Sequence, residues 1–262
     1  MSKNYELMRE MEQKQAFLSD YSIEPALTAG KSSRRGLPRQ LASDLIAGLV
    51  QRVFLQPEEK PPRLVVFAAI DHGNGCSLIA ASVARALTAS APGAVCLVEA
   101  NFRSPGLTRM LGTTNYQGFT DALLEPGSIR SFVKPIGDGC LWLLSSGRIA
   151  ADSPKLLAAE RTRARFVELR AEFDFVIVDA PPVSRYADAI ALGRLSDGMV
   201  LVLEAGSTRQ DAALTAVQYV RSSRIQVLGA VLNKGVVRIP EKISKSVWKC
   251  RGLNFVTGTA RK

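Results

Sequence analysis

The sequence predicts an α/β domain, doubly wound around a mostly parallel sheet. Three observations predict it. Short apolar runs of strand length, such as RLVVFAA (63–69) and FDFVIVDA (173–180), recur along the chain. Helix-length segments separate them. Glycines and polar groups gather just beyond the ends of these runs. A run apolar at every position is covered on both faces, as in a parallel sheet. Strands alternating with helices join through right-handed crossovers. A chain of 262 residues suits one such domain with short extensions.

Taken in order, residues 5–17 (YELMREMEQKQAF) read as a short helix. Residues 20–36 carry Pro, Gly, Ser and charge, and read as a linker. A helix comes next over about 38–54, with Leu41, Leu45, Ile46, Leu49, Val53 and Phe54 toward one side. QPEEKPP (56–62) breaks it. The strand at 63–69 then leads through a glycine turn into a helix from Ser77 to about Thr88. Further strands are expected at 94–100, 141–147, 173–180, 198–206 and 225–234, with helices notably at 155–172 and 208–222. The organisation is therefore N-terminal helices and linker (1–62), one domain (63–238) and a tail (239–262). No internal repeat is visible.

Composition narrows the function classes. Apolar residues are 47% and charged residues 22%, which excludes bulk disorder, collagen and coiled coil. No run approaches the roughly 18 apolar residues of a membrane span, and the start lacks the apolar centre of a signal peptide. A cytoplasmic protein is expected. Cys76, Cys96, Cys140 and Cys250 form no C-x-x-C pair, and His72 is the one histidine. That argues against zinc and for reduced thiols. The net charge is +10, of which +5 falls in residues 241–262. In that tail Ile243, Val247 and Trp248 stand among Lys242, Lys245 and Lys249. Such a segment either lies on an anionic membrane or is a disordered tail. Nucleic-acid binding lacks aromatic interleaving and a recognisable module. The run Glu160, Arg161, Arg163, Arg165, Arg170 reads as a solvated helix face or a subunit contact.

The segment AAIDHGNGCSLIAASVARAL (68–87) has the layout of a phosphate-binding loop. Backbone N–H groups around Gly73, Asn74 and Gly75 can point at an anion, and the helix after them adds its positive end. Ser77 would give a hydroxyl to a magnesium ion. In G-x-x-x-x-G-K-[ST] the lysine precedes that hydroxyl; here Cys76 stands in its place, and Ile70 replaces the first glycine. A helix N-terminus lowers a thiol's pKa, which opens a redox or ligand role for Cys76. The plainer reading is a small residue that fits the loop. Three other strands end in polar groups: Glu99, Asn101 and Arg103; Asp179 before Pro181 and Pro182; and Asn233. All fall at carboxyl ends, where open α/β sheets place ligands.

Over about residues 63–234 the sequence resembles the cytoplasmic P-loop domain of bacterial tyrosine kinases of capsule and exopolysaccharide synthesis. That family is related to partition and division-site ATPases. Its Walker A pattern falls on Ala69 to Ser77, its D-x-D-x-R motif on Glu99, Asn101 and Arg103, its D-x-P-P on Asp179 to Pro182, and its G-x-V-L-N on Gly229 to Asn233. The resemblance implies a P-loop NTPase-like fold binding ATP or ADP with magnesium. Gly73, Asn74, Gly75, Cys76, Ser77, Arg103 and Asn233 would touch the nucleotide. Ser77 and Asp179 would hold the metal, and Glu99 and Asp179 would be the catalytic carboxylates. It also implies a chain-length-determining membrane protein as partner, oligomer formation, and a place at the inner face of the membrane.

The departures fall on the chemistry. The loop lysine is Cys76, the two motif aspartates are Glu99 and Asn101, and no tyrosine comes after Tyr219. The E-x-x-R-x-x-R motif of ring assembly is not readable in 38–54. The additional lysine of partition ATPases would fall at Asp71. A hydrogen bond to a charged group contributes roughly 1.5–3 kcal/mol, so losing the lysine weakens ATP binding by about 10- to 100-fold. The transition state loses more. The expected function is that of a degenerate, regulatory relative with weak or absent catalysis. The alternative is an active ATP-dependent tyrosine autokinase or ATPase of the same pathway, rescued by a cation from elsewhere such as Arg103 or a neighbouring subunit; a positioning ATPase of the partition type ranks below both.

Overall fold

The computed structural model describes residues 23–26, 39–56, 60–114, 117–137, 139–148 and 153–234. The proposed helix at 5–17 and the basic tail lie outside them. Eight strands form one sheet: β1 (Ile23–Ala26), β2 (Leu64–Ala69), β3 (Val95–Glu99), β4 (Lys134–Ile136), β5 (Leu141–Leu144), β6 (Phe175–Ala180), β7 (Gly198–Glu204) and β8 (Val227–Asn233). Their spatial order is β1-β8-β7-β2-β6-β3-β5-β4. Every pair is parallel except β4 against β5.

The central strands show why the sheet is wound on both sides. In β2, Leu64, Val66 and Ala68 enter one core, and Val65, Phe67 and Ala69 enter the other. Alternate side chains point to opposite faces, so a strand buried at all six positions needs two covers. One cover is α1 (Arg39–Phe54), α2 (Cys76–Ser90) and the short α3 (Leu107–Met110). The other includes α4 (Phe119–Leu124), α6 (Glu160–Glu172), α7 (Asp188–Gly193) and α8 (Gln210–Ser222). Removing a large side chain from either core, as in Phe67→Ala, costs about 3–5 kcal/mol.

Four sequence expectations change. The linker reading of 20–36 gives way at Ile23–Ala26, which pairs with β8 from Ile23↔Ala230 to Ala26↔Asn233. Four residues at a sheet edge are held by backbone pairing and carry no periodic signal. The antiparallel edge strand β4 is a second addition; Pro135 sits within it, as edge positions tolerate. The helix at 155–172 is two, α5 (Ser153–Ala158) and α6, because Ala159 is extended (φ −71°, ψ 147°). The charged face of α6 is not simply solvated. Arg165 is buried and donates to the carbonyls of Ala122, Glu125 and Gly127, while Arg161 donates to those of Leu124 and Glu125. The two arginines supply donors to carbonyls left open where α4 ends.

The N-terminal helix read at 38–54 is α1. Its Ile46, Val50, Val53 and Phe54 are buried in the same cluster as Ile79, Val83 and Leu87 of α2. It packs as part of the domain's layer. Among the described residues no helix is long and apolar enough to cross a membrane.

Candidate functional site

The carboxyl ends of β2, β3, β6, β7 and β8 converge on the glycine loop. β2 lies between β6 and β7, so the loop leaving it at Ile70 sits at the centre of the sheet. Ile70 N–H donates to Val202 O, and Val183 and Ser184 N–H donate to Ala69 and Ile70 carbonyls. The Ser184 hydroxyl donates to Asp71 Oδ1 at 3.0 Å. Ile70, which replaces a glycine of the usual pattern, is buried. His72 is exposed.

Gly73 and Gly75 are left-handed, at φ 87° and 86°. A Cβ at Gly75 would collide with the Asn233 amide, so the position needs glycine for space and for backbone. Among the described residues no acceptor takes the N–H groups of Gly73, Asn74 or Gly75. Backbone donors left open beside a helix start suit an anion. The Asn74 side chain faces inward: it is buried, and its amide donates to Val202 O and Thr208 Oγ1, each at 3.2 Å.

Asn233 closes the loop from the other side. It is fully buried, its Nδ2 donates to Asn74 O at 2.7 Å, and its Oδ1 accepts from Lys234 N–H at 2.8 Å. Both ends of its amide are engaged within the protein, which ties the glycine loop to the end of β8. Lys234 also reaches the loop, a placement the sequence reading missed. Its ammonium donates to Gly73 O at 2.7 Å and to Glu204 Oε2 at 2.9 Å. The available signal was its place directly after the last strand, beside Asn233.

Cys76 opens α2 and is buried. The expected lowering of its pKa is reversed. Burial pushes the thiol well up, and the charge of Asp179 beside it pushes the same way. The helix dipole does not win, because the thiolate would sit dry against another anion.

Asp179 and Glu99 are register partners on β6 and β3, and both are buried. Neither oxygen of Asp179 has a hydrogen-bond partner among the described residues. Burial raises its pKa to about 7; the nearby Ser77 hydroxyl and Cys76 thiol pull it down, and the Glu99 charge raises it. Ser77 and Cys76 thus lie close enough to favour the anion without completing a well-formed bond to it. A buried carboxyl with no partner next to a hydroxyl at a helix start fits a magnesium ion held through water. Glu99 is the opposite. Its Oε1 accepts from Gly106 and Leu107 N–H at 2.6 Å each, and its Oε2 from Thr108 Oγ1 at 3.1 Å and Ser146 N–H at 3.0 Å. It anchors the start of α3 to the loop after β5.

Arg103 lies away from the glycine loop in its contacts. Its Nε is 3.6 Å from buried Asp188, and its guanidinium sits 5.0 Å over the Tyr186 ring. Asn101 Oδ1 accepts from Ser104 N–H and shapes its own turn. The site therefore assembles Gly73, Asn74, Gly75, Cys76, Ser77, Asp179, Asn233 and Lys234.

No family model matches the chain. It is 29% identical over 196 residues to the tyrosine-protein kinase YwqD of Bacillus subtilis, covering 75% of this chain and 82% of that one. It is 30% identical over 175 residues to the succinoglycan biosynthesis transport protein ExoP of Rhizobium meliloti, covering 66% of this chain and 22% of that one. The chain thus spans most of the first relative and about a fifth of the second. Among solved structures it resembles the chimeric protein CapA2B2, with TM-score 0.74 and 21% identity, covering 86% of this chain and 98% of the other. In sequence this chain is similar to bacterial tyrosine kinases, and its fold is the P-loop NTPase-like fold of its structural neighbours.

Proposed function

We propose that this chain is a degenerate, regulatory relative of those kinases: it holds a nucleotide weakly through its phosphates and transfers little or no phosphoryl group. One observation carries the reading. The side chain at the loop's lysine position is a buried thiol facing Asp179. A neutral thiol cannot neutralise charge developing on a transferring phosphoryl group. The engagement of Glu99 by four donors supports the same reading, since it has no lone pair left to take a nucleophile's proton.

Gly73, Asn74 and Gly75 would hold the phosphates, and Ser77 and Asp179 the magnesium, which supplies charge neutralisation. The chain would act in capsule or exopolysaccharide assembly, at the inner face of the membrane, by docking a chain-length-determining membrane protein. Names such as that of ExoP support this pathway.

The test is binding of Mg-ADP and Mg-ATP, with autophosphorylation, for the wild type, Cys76→Lys and Asp179→Ala. We expect weak binding and no phosphotyrosine in the wild type, and ATP binding about 10- to 100-fold tighter in Cys76→Lys. Phosphotyrosine formed by the wild type and lost in Asp179→Ala would overturn the reading in favour of an active kinase.

A further inference from the structure

A cradle of backbone N–H groups offers only partial charges, and Cys76 adds none. An ammonium nevertheless reaches the loop from 161 positions along the chain: Lys234 Nζ, on Gly73 O. Its delivery is specific. Lys234 is held at φ 59°, a left-handed conformation uncommon for a residue with a β-carbon. Asn233 fixes it there, accepting its N–H while bonding Asn74 O and while its own carbonyl accepts from Ala205 N–H. Strain of this kind persists where the surroundings over-determine it. An ordinary surface ion pair needs no such arrangement.

We infer that Lys234 is the positioning residue that replaces the missing loop lysine, bracing the Gly73 carbonyl and lending the anion cradle a positive charge from behind. The inference rests on the reading that this loop takes the phosphates of a nucleotide. Gly73 and Gly75 are left-handed while Asn74 between them is not, an alternation that turns successive N–H groups toward one side, and the carbonyls of Gly73 and Asn74 are taken by Lys234 and Asn233. A cation on the outward oxygen of Gly73 polarises that peptide, whose N–H belongs to Asn74 and serves the cradle. Glu204 tempers the device. It shares the ammonium at 2.9 Å, so the pair is close to neutral, and the Lys234 and Glu204 side chains are 33% and 24% exposed. The ligand would be the di- or triphosphate end of a nucleotide, read by charge.

A bare brace and a charge donor make opposite predictions for Glu204. Titration calorimetry on the full chain with magnesium pyrophosphate and Mg-ADP, at low and high salt, separates them. Lys234→Met should weaken both ligands about 10-fold and flatten the salt dependence. Lys234→Arg should restore most of the affinity. Glu204→Gln should tighten both ligands about 3-fold, because it releases the cation. If Glu204→Gln weakens binding as Lys234→Met does, the pair is only a brace and the inference is overturned. Should Lys234→Met fail to fold by its thermal transition, the sign of the Glu204→Gln effect decides. Binding by the wild type that Lys234→Met leaves intact overturns this inference alone. No binding by the wild type at millimolar ligand overturns it together with the nucleotide reading.

Discussion

Glu99 and Asp179 sit side by side on neighbouring strands, in register, both out of water. They share a face of the sheet. Yet one accepts four hydrogen bonds and the other none. The difference comes from the turn that leaves each strand. After β3 the chain turns through Pro105 and Gly106 into α3, and that helix start points its N–H groups back at Glu99. After β6 come two prolines, which carry no N–H to offer. Asp179 is left facing the start of α2, where the Ser77 hydroxyl and the Cys76 thiol lie near it without completing a bond. Burial therefore organises one carboxyl and leaves the other waiting for a partner, and only the second has the character of a ligand site.

The largest way to break this contrast is at Glu99. Glu99→Ala removes the acceptor for three backbone N–H groups and one hydroxyl in a closed region. Each unsatisfied donor costs about 1–3 kcal/mol, less what relaxation and water recover. We expect a loss of about 3–5 kcal/mol in urea denaturation. A loss below about 1 kcal/mol would show that the bonds to Gly106, Leu107 and Ser146 are replaceable, and would reopen a chemical role for Glu99.

The opposite sign is expected at Asp179. Its folded-state pKa, about 7, lies above the ordinary value of 3.8. Between those values the folded chain holds a proton that the unfolded chain releases, so stability falls as pH rises from about 4 to about 7 and is then level. Asp179→Asn removes the penalty. It should stabilise the ligand-free protein by about 1–3 kcal/mol at about pH 8 and much less at about pH 5. Equal effects at both pH values would mean that the carboxyl is solvated or paired in the folded state.

The fold is legible in the sequence because the central strands are apolar at every position and the helices are long enough to show a period. β1 and β4 are not legible: four and three residues held by backbone bonds at the edges leave no side-chain pattern. In the site, Gly73, Asn74, Gly75, Ser77 and Asp179 stand out through spacing along the chain. The states of their neighbours do not. That Glu99 is saturated, that Asn233 faces the loop, and that Lys234 spans 161 positions to Gly73 depend on which way each side chain turns at a strand end. The pKa of Cys76 moves against the dipole argument first because the helix start is buried, and second because an anion, Asp179, lies beside it; neither is visible in sequence, where the two residues stand 103 positions apart.

The smallest change sharpens the contrast by strengthening a donor beside Asp179. Cys76→Ser keeps the size of the side chain nearly constant and replaces a weak S–H donor with a hydroxyl. A hydroxyl donating to the carboxylate favours the anion. The pH at which stability levels off should then move down by about one unit, equivalent to about 1.4 kcal/mol. Denaturation midpoints measured across the acid to neutral range would show the shift as a displaced bend in the profile. The loop's phosphate affinity should change little, since a hydroxyl brings no more positive charge than a thiol. A profile identical to the wild type would place the Cys76 side chain out of reach of Asp179, and with it the electrostatic cause assigned to both groups.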